Sequence, residues 1–152
     1  MDTFAKDRLP PRDQWPRLHF DLPELRYPDR LNCATVLLDD AIAEGHGDRP
    51  AILTDAGPIT YRDLLARANR MANVLVGAGV RPGNRVLLRG YNGPELYVAW
   101  LAVMKTGAIA VTTMPMLRAP ELSAIIGKAK PAFALTDHRL LAELSAVAAA
   151  GG

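Results

Sequence analysis

The sequence predicts an α/β fold: a doubly wound, mainly parallel sheet with helices on both faces, plus a small β-hairpin. Three observations lead to this prediction. Short apolar runs alternate with helical patterns over residues 85–149. The links between them are short and rich in Gly and Pro. Residues 108–113 are apolar enough for a strand covered on both faces. Strands that alternate with helices in this way pair in parallel through helical crossovers.

Apolar periodicity and Pro or Gly signals set the predicted elements. Strands are predicted at 51–54, 59–61, 85–89, 108–113 and 132–136. Helices are predicted at 32–44, from Thr60 to Gly77, at 96–105, from 119–122 to about 128, and at 139–149. Asn32 and Thr60 are the predicted N-caps, and Gly107 is predicted to end the helix before it. The turn at 55–58 joins the first two strands as a hairpin.

The helix at 96–105 is apolar on nearly every side, which is typical of a helix that is buried on most sides. One isolated sheet covers only part of such a helix. Without a packing partner, we expect Trp100 and Met104, or Tyr97 and Leu101, to face water. The isolated chain is then expected to self-associate, most simply as a homodimer through this helix or an open strand edge.

Residues 1–29 hold five prolines, with Trp15, Phe20 and Tyr27 between them. This composition predicts an extended arm that lies on a surface, and a disordered tail is the alternative. The segment has no apolar core of a secretory signal. We therefore divide the 152 residues into this arm and one α/β domain at 30–152.

Charge and cysteine content restrict the function classes. A net charge of +2, from 18 basic and 16 acidic residues, gives no electrostatic case for nucleic acid as a partner. No apolar run is long enough to span a membrane. Cys33 has no second cysteine to pair with, so a reducing, cytoplasmic location is expected. Since no histidine lies near it in sequence, we expect Cys33 to pack on a helix and not to act as a nucleophile.

Candidate binding residues follow the carboxyl ends of the predicted strands, where open α/β sheets bind ligands. The 90–93 loop ends at a helix N-terminus, which suits an anion or is a plain helix start. Arg118 precedes the next helix and either clamps a phosphate or is a surface arginine. The segment 137–139, Asp-His-Arg, suits acid–base chemistry or caps a helix. No metal-ligand spacing occurs, and no catalytic residue is predicted.

Four segments carry a resemblance to a known family: ITYRDL (59–64), GVRPGNRVLL (79–88), NGPELYVAWLAVMKTGAIAVTTMPMLRAPEL (92–122) and PAFALTD (131–137). Together they resemble the N-terminal region of the adenylate-forming acyl-CoA synthetases. The lead-in DQWPRLHFDLPELRYPDRLNCA (13–34) is similar to the aromatic-acid branch, the 2-aminobenzoate– and benzoate–CoA ligases.

The resemblance implies a two-step reaction of a small aromatic acid, with ATP, Mg²⁺ and coenzyme A as cofactors of the full-length enzyme. It also implies that the phosphate loop, the ribose-binding aspartate and the catalytic lysine lie in downstream domains. This chain is accordingly expected to be a truncated fragment that is inactive alone and needs no cofactor. In some relatives the loop equivalent to 114–118 approaches the coenzyme A nucleotide, which makes Arg118 the candidate contact. The alternatives are a non-catalytic interaction module and a stand-alone nucleotide-binding domain.

Overall fold

A computed structural model describes residues 1–150. In chain order it contains three 3₁₀ turns (Lys6–Arg8, Arg12–Gln14, Pro23–Leu25), a π-helical segment (Thr35–Asp40) that continues into α1 (Ala41–Ala43), β1 (Pro50–Thr54), β2 (Gly57–Thr60), α2 (Tyr61–Gly77), β3 (Arg85–Arg89), α3 (Pro94–Lys105), β4 (Ile109–Thr113), α4 (Ala119–Ala129), β5 (Phe133–Thr136), a further 3₁₀ turn (His138–Leu140) and α5 (Leu141–Ala149).

The main sheet of the described residues has the order β4-β3-β5, and both pairings are parallel. Arg89, the last residue of β3, lies opposite Thr113 on one neighbour and Thr136 on the other. All three strands therefore end at the same level. β1 and β2 form a separate antiparallel hairpin. The predicted fold class, a parallel sheet with an added hairpin, is confirmed.

Side chains of the central strand alternate between two helical layers. Val86 and Leu88 belong to a buried cluster with residues of α2 and α3. The other side chains of β3 point to the opposite face, where Arg85 donates to main-chain carbonyls at the end of α4. α5 packs against α4 on this second face. Helices therefore cover both faces, as a doubly wound sheet requires.

The predicted helix caps are confirmed. Thr60 Oγ1 accepts a hydrogen bond from the Asp63 amide at 3.1 Å and caps α2. Asn32 Oδ1 accepts from the Ala34 amide at 3.0 Å, although the helix that follows is π-helical over most of its length. Gly107 has φ +74° directly after α3, in the left-handed region that glycine tolerates best.

Two sequence-based predictions are wrong. β4 is not covered on both faces, because it is an edge strand on which Ile109 and Thr112 are exposed. Cys33 does not pack on a helix, because its side chain is exposed. An apolar run of six residues fits an edge strand as well as a central one, so composition alone did not decide the position of β4.

The helix α3 presents two aromatic side chains to solvent. Tyr97 is 53% exposed and Trp100 is 38% exposed, whereas Leu101, one step around the helix, is only 6% exposed. Tyr97 and Trp100 line a groove of about 470 Å³ together with Leu53 of the hairpin. No helix in the described part of the chain is long and apolar enough to cross a membrane.

The first four residues are fixed to the amino edge of the sheet. The Asp2 amide donates to the Pro82 carbonyl at 2.8 Å, and the Asp2 carboxylate pairs with the Arg85 guanidinium. A hydrogen bond from the Phe4 amide, followed by the Arg85 contact, lowers the pKa of Asp2 to about 2. Most later residues of the 1–29 segment are exposed, and its separation from 30–152 as an arm stays a prediction.

Candidate functional site

The candidate site is the carboxyl edge of the main sheet, where three loops lie side by side. They are the 114–118 loop after β4, the 90–93 loop after β3 and the 137–139 turn after β5. Because the three strands end in register, all the residues predicted as binding candidates lie along this one edge. This is the position at which open α/β sheets bind ligands.

Arg118 lies at the N-cap position of α4, and its side chain is 75% exposed. Its Nη1 donates to Glu143 Oε1 of α5 at 3.0 Å, while Glu143 Oε2 accepts from the Ala119 amide at 2.9 Å. The Arg118 bond, followed by the Ala119 bond, lowers the pKa of Glu143. An anionic ligand of Arg118 would therefore compete with an ionised carboxylate for the same guanidinium.

The 90–93 loop forms one wall of a cleft of about 610 Å³, and the 137–139 turn forms the opposite wall. Tyr91 of the first loop lies beneath the Arg139 guanidinium, 4.5 Å from ring centroid to Cζ. Gly93, the N-cap residue of α3, has no side chain, so no side-chain cap covers the first amides of the helix. An anion site and a plain helix start therefore both stay predictions for this loop.

The Asp137–His138 pair is arranged for capping. Asp137 Oδ1 accepts from the Arg139 amide at 2.9 Å, and its two oxygens also bind the Arg139 guanidinium at 3.0 and 2.6 Å. The bonds from Arg139 hold the pKa of Asp137 well below its usual value. Asp137 is therefore ionised at neutral pH and cannot serve as a general acid. His138 is 89% exposed, and its Nδ1 lies 3.6 Å from Asp137 Oδ1.

The structure also shows two buried arginines of β3 whose contacts the sequence did not reveal. Arg85 and Arg89, the two ends of β3, are 7% and 1% exposed, and each donates to main-chain carbonyls at one end of α4. Charged residues are rarely this buried. The signal in the sequence was RVLLR, a strand of a predicted parallel sheet with an arginine at each end.

Comparison with known proteins agrees with this architecture. The profile of the family described as AMP-binding enzyme matches residues 39–151. A salicyl-AMP ligase / salicyl-S-ArCP synthetase of Mycobacterium tuberculosis is 42% identical over 97 residues, which are 64% of this chain and 15% of that protein. A 3-hydroxybenzoate–CoA/4-hydroxybenzoate–CoA ligase of Thauera aromatica is 38% identical over 88 residues, 58% of this chain and 17% of the relative.

Solved structures extend the comparison to the fold. The anthranilate CoA ligase AuaEII, solved in complex with anthranoyl-AMP, superposes with a TM-score of 0.71 at 25% identity. The match covers 76% of this chain and 22% of that one. The matches cover only 15%, 17% and 22% of these three proteins, so this chain spans a small part of their length. The family profile matches well over half of the 152 residues. The chain belongs to the AMP-binding enzyme family and corresponds to the N-terminal region of an adenylate-forming enzyme.

Proposed function

We propose that this chain is the N-terminal part of an aromatic-acid–CoA ligase that acts on a benzoate- or 2-aminobenzoate-type acid. Two of the relatives that match carry the proposal. A salicyl-AMP ligase and a hydroxybenzoate–CoA ligase are both named for aromatic acids. The lead-in at 13–34, which is similar to the same branch, supports this assignment. A cytoplasmic role in the degradation of aromatic acids is part of the proposal.

The proposed reaction has two steps. The substrate carboxylate attacks the α-phosphate of ATP, forming an acyl-adenylate and releasing pyrophosphate. The thiol of coenzyme A then attacks the acyl carbon, which forms the thioester and releases AMP. Mg²⁺ would offset charge on the phosphates. Residues 1–150 contain no group of three or more His, Cys, Asp or Glu side chains that could hold a metal, so we assign no Mg²⁺ ligand within them.

In this proposal, the chain contributes to coenzyme A binding at the carboxyl edge of the sheet. There the exposed guanidinium of Arg118 would receive a phosphate of coenzyme A, because a planar guanidinium matches phosphate oxygens bidentately. The phosphate would replace the carboxylate of Glu143, which accepts from the same side chain. The downstream domains would supply the ATP site and the acid pocket.

Acid-dependent exchange of pyrophosphate into ATP tests the function. We expect none from the 152-residue chain, because it supplies no phosphate cradle and no catalytic lysine. The longer polypeptide that contains this chain should catalyse exchange with benzoate or 2-aminobenzoate, using acetate and amino acids as comparison substrates. Pyrophosphate exchange by the 152-residue chain at a rate above that of a mock preparation would contradict the expectation that it is inactive alone. A preference of the long form for aliphatic or amino acids would contradict the aromatic substrate class.

Arg118→Ala in that longer form is expected to raise the apparent KM for coenzyme A by about tenfold, since one charge-assisted phosphate contact is lost. Adenylation should stay unchanged, because it precedes coenzyme A binding. Steady-state kinetics of both half-reactions measure this split. Lys128→Ala, which removes an exposed cation near the far end of α4, is the matched control. An unchanged KM for coenzyme A would make Arg118 a plain surface residue.

The exposed aromatic side chains of α3 support a further part of the proposal, self-association of the isolated chain. Tyr97 and Trp100, beside the 80% exposed Leu53, form an apolar surface of the kind that marks an interface. Light scattering over a concentration series should show dimers that Trp100→Ser weakens. Val76→Ser, at an exposed position of α2, should leave association unchanged. A monomer at high micromolar concentration that binds no hydrophobic dye would contradict self-association.

A further inference from the structure

The two ends of β3 carry buried arginines that face the same helical layer. Arg85 and Arg89 are four residues apart, so the alternation of a strand places both side chains on one face. Four residues of strand span about 13 Å. The 11 residues of α4 extend for about 16 Å, so the two guanidinium groups fall near the two ends of this helix.

Arg85 donates hydrogen bonds to the carboxyl end of α4. Its Nε donates to the Ala129 carbonyl at 3.0 Å and its Nη2 donates to the Lys130 carbonyl at 2.8 Å. These are carbonyls at the helix terminus, which has few other partners, and the positive charge suits the dipole there. The charge is also balanced by the carboxylate of Asp2. Arg85 therefore acts as an ordinary C-terminal helix cap with an ion-pair partner.

Arg89 differs because no carboxylate of residues 1–150 lies within ion-pair distance of it. Its Nη1 donates to the Met114 carbonyl at 2.9 Å. Its Nη2 donates to the carbonyls of Pro115 at 3.0 Å and Leu117 at 2.7 Å. Its Nε is buried and has no hydrogen-bond partner in the described part of the chain. A buried charge needs compensation. Here main-chain carbonyls of a single loop accept its hydrogen bonds, and the more distant carboxylate of Glu143 adds a coulombic attraction.

The other side of this loop is also held. Glu143 binds the Ala119 amide and the Arg118 side chain, so the chain between β4 and α4 is held by a cation on one side and a carboxylate on the other. On the other side, the rigid, planar guanidinium of Arg89 donates to all three loop carbonyls, those of Met114, Pro115 and Leu117. Lysine cannot reproduce this arrangement, because its ammonium lacks the planar fork.

We propose that Arg89 is a positioning residue: it fixes the backbone of 114–117 and thereby sets where Arg118 meets a phosphate of coenzyme A. This inference rests on the proposed function for its ligand. Its structural part, the ordering of the 114–119 segment by Arg89, concerns the chain alone and can be tested separately.

Hydrogen–deuterium exchange on the 152-residue chain tests the structural part. Arg89→Lys should speed exchange of the hydrogen-bonded amides within 114–119, those of Leu117, Arg118 and Ala119, by about tenfold. The amides of Lys130 and Ala132 should exchange at an unchanged rate, because only one end of α4 is released. Arg85→Lys is the matched control and should show the reverse pattern. Equal acceleration in both windows would make Arg89 a general core residue and overturn the inference. Unchanged exchange at 114–119 in a folded Arg89→Lys chain would overturn it as well.

Kinetics of the longer ligase test the link to the ligand. Arg89→Lys should raise the KM for coenzyme A by about tenfold without changing adenylation, since small misplacements of a binding group cost this much or more. Arg85→Lys should change neither parameter. In an Arg118→Ala background, Arg89→Lys should have no further effect on this KM, because both changes act through one contact. A further tenfold rise in the double variant would show that Arg89 does not act through Arg118.

The experiments distinguish a failure of the proposed function from a failure of the positioning role of Arg89. A wild-type ligase without coenzyme A-dependent activity would overturn the proposed function, and the exchange experiment would still decide whether Arg89 orders the loop. A wild-type ligase that is active, with an unchanged coenzyme A KM in Arg89→Lys, would overturn the positioning role alone.

Discussion

Leu88→Ala is expected to lower the free energy of unfolding by about 3 kcal/mol, because it removes buried methyl groups and leaves a cavity. Leu88 is fully buried in the central strand, in one cluster with side chains of α2 and α3. A side chain in the middle of such a cluster is surrounded by packed groups, so neighbouring residues have little freedom to fill the space. Urea denaturation followed by circular dichroism measures the change as a shift in midpoint.

Leu53→Ala is the matched control for this prediction. Leu53 is the same residue type in a strand, but it is 80% exposed. At concentrations where the chain is monomeric, its loss should therefore change stability by no more than about 0.5 kcal/mol. A Leu88→Ala midpoint within error of that of Leu53→Ala would contradict the central position of β3. The comparison separates burial from side-chain chemistry, since the two substitutions delete the same atoms.

Local signals predicted most of the fold. The run Arg85–Arg89 was predicted as a strand with the same bounds that the structure shows. The helix predicted at 96–105 is α3, which begins two residues earlier at Pro94 and ends at Lys105 as predicted. These elements form where residue preference, apolar period and capping residues agree. The order of strands and helices then restricted the topology to a parallel sheet.

Strand order and side-chain burial could not be predicted in the same way. The order β4-β3-β5 puts β4 at an edge, and this order depends on contacts between segments distant in sequence. Cys33 is exposed at the start of a helix that becomes π-helical over Thr35–Asp40, and no sequence signal indicated this change of winding. Periodicity assumes a regular helix, so it fails where the winding changes.

The sequence predicted where the candidate residues lie, at the carboxyl ends of strands, but not which residues they contact. Arg118 was identified because it precedes a helix at the end of a strand. Its partner Glu143 lies 25 residues away, and pairing at that distance requires knowledge of how α4 and α5 pack. Arg89 was predicted only as part of a strand. Its hydrogen-bond partners are carbonyls of another loop, and no local sequence pattern indicates them.

Gly83→Ala is the second change with a large expected effect, because it separates the first residues from the sheet. Gly83 has φ +85°, and a Cβ built there lies 1.9 Å from the Asp2 carbonyl oxygen. A main-chain atom cannot yield as a flexible side chain does, so Asp2 must move and lose its 2.8 Å bond to the Pro82 carbonyl.

Gly45→Ala isolates the backbone strain in this prediction. Gly45 has a similar φ of +86°, but nothing lies within 4 Å of its Cβ position. Alanine in this region costs about 1–2 kcal/mol at either site. Gly83→Ala should therefore destabilise more than Gly45→Ala by about 1 kcal/mol or more, since it also breaks a hydrogen bond. Hydrogen exchange should show faster exchange of the Asp2 and Phe4 amides in Gly83→Ala alone. Equal losses of stability in the two variants, with unchanged exchange at these amides, would mean that residues 1–4 are not held against the sheet.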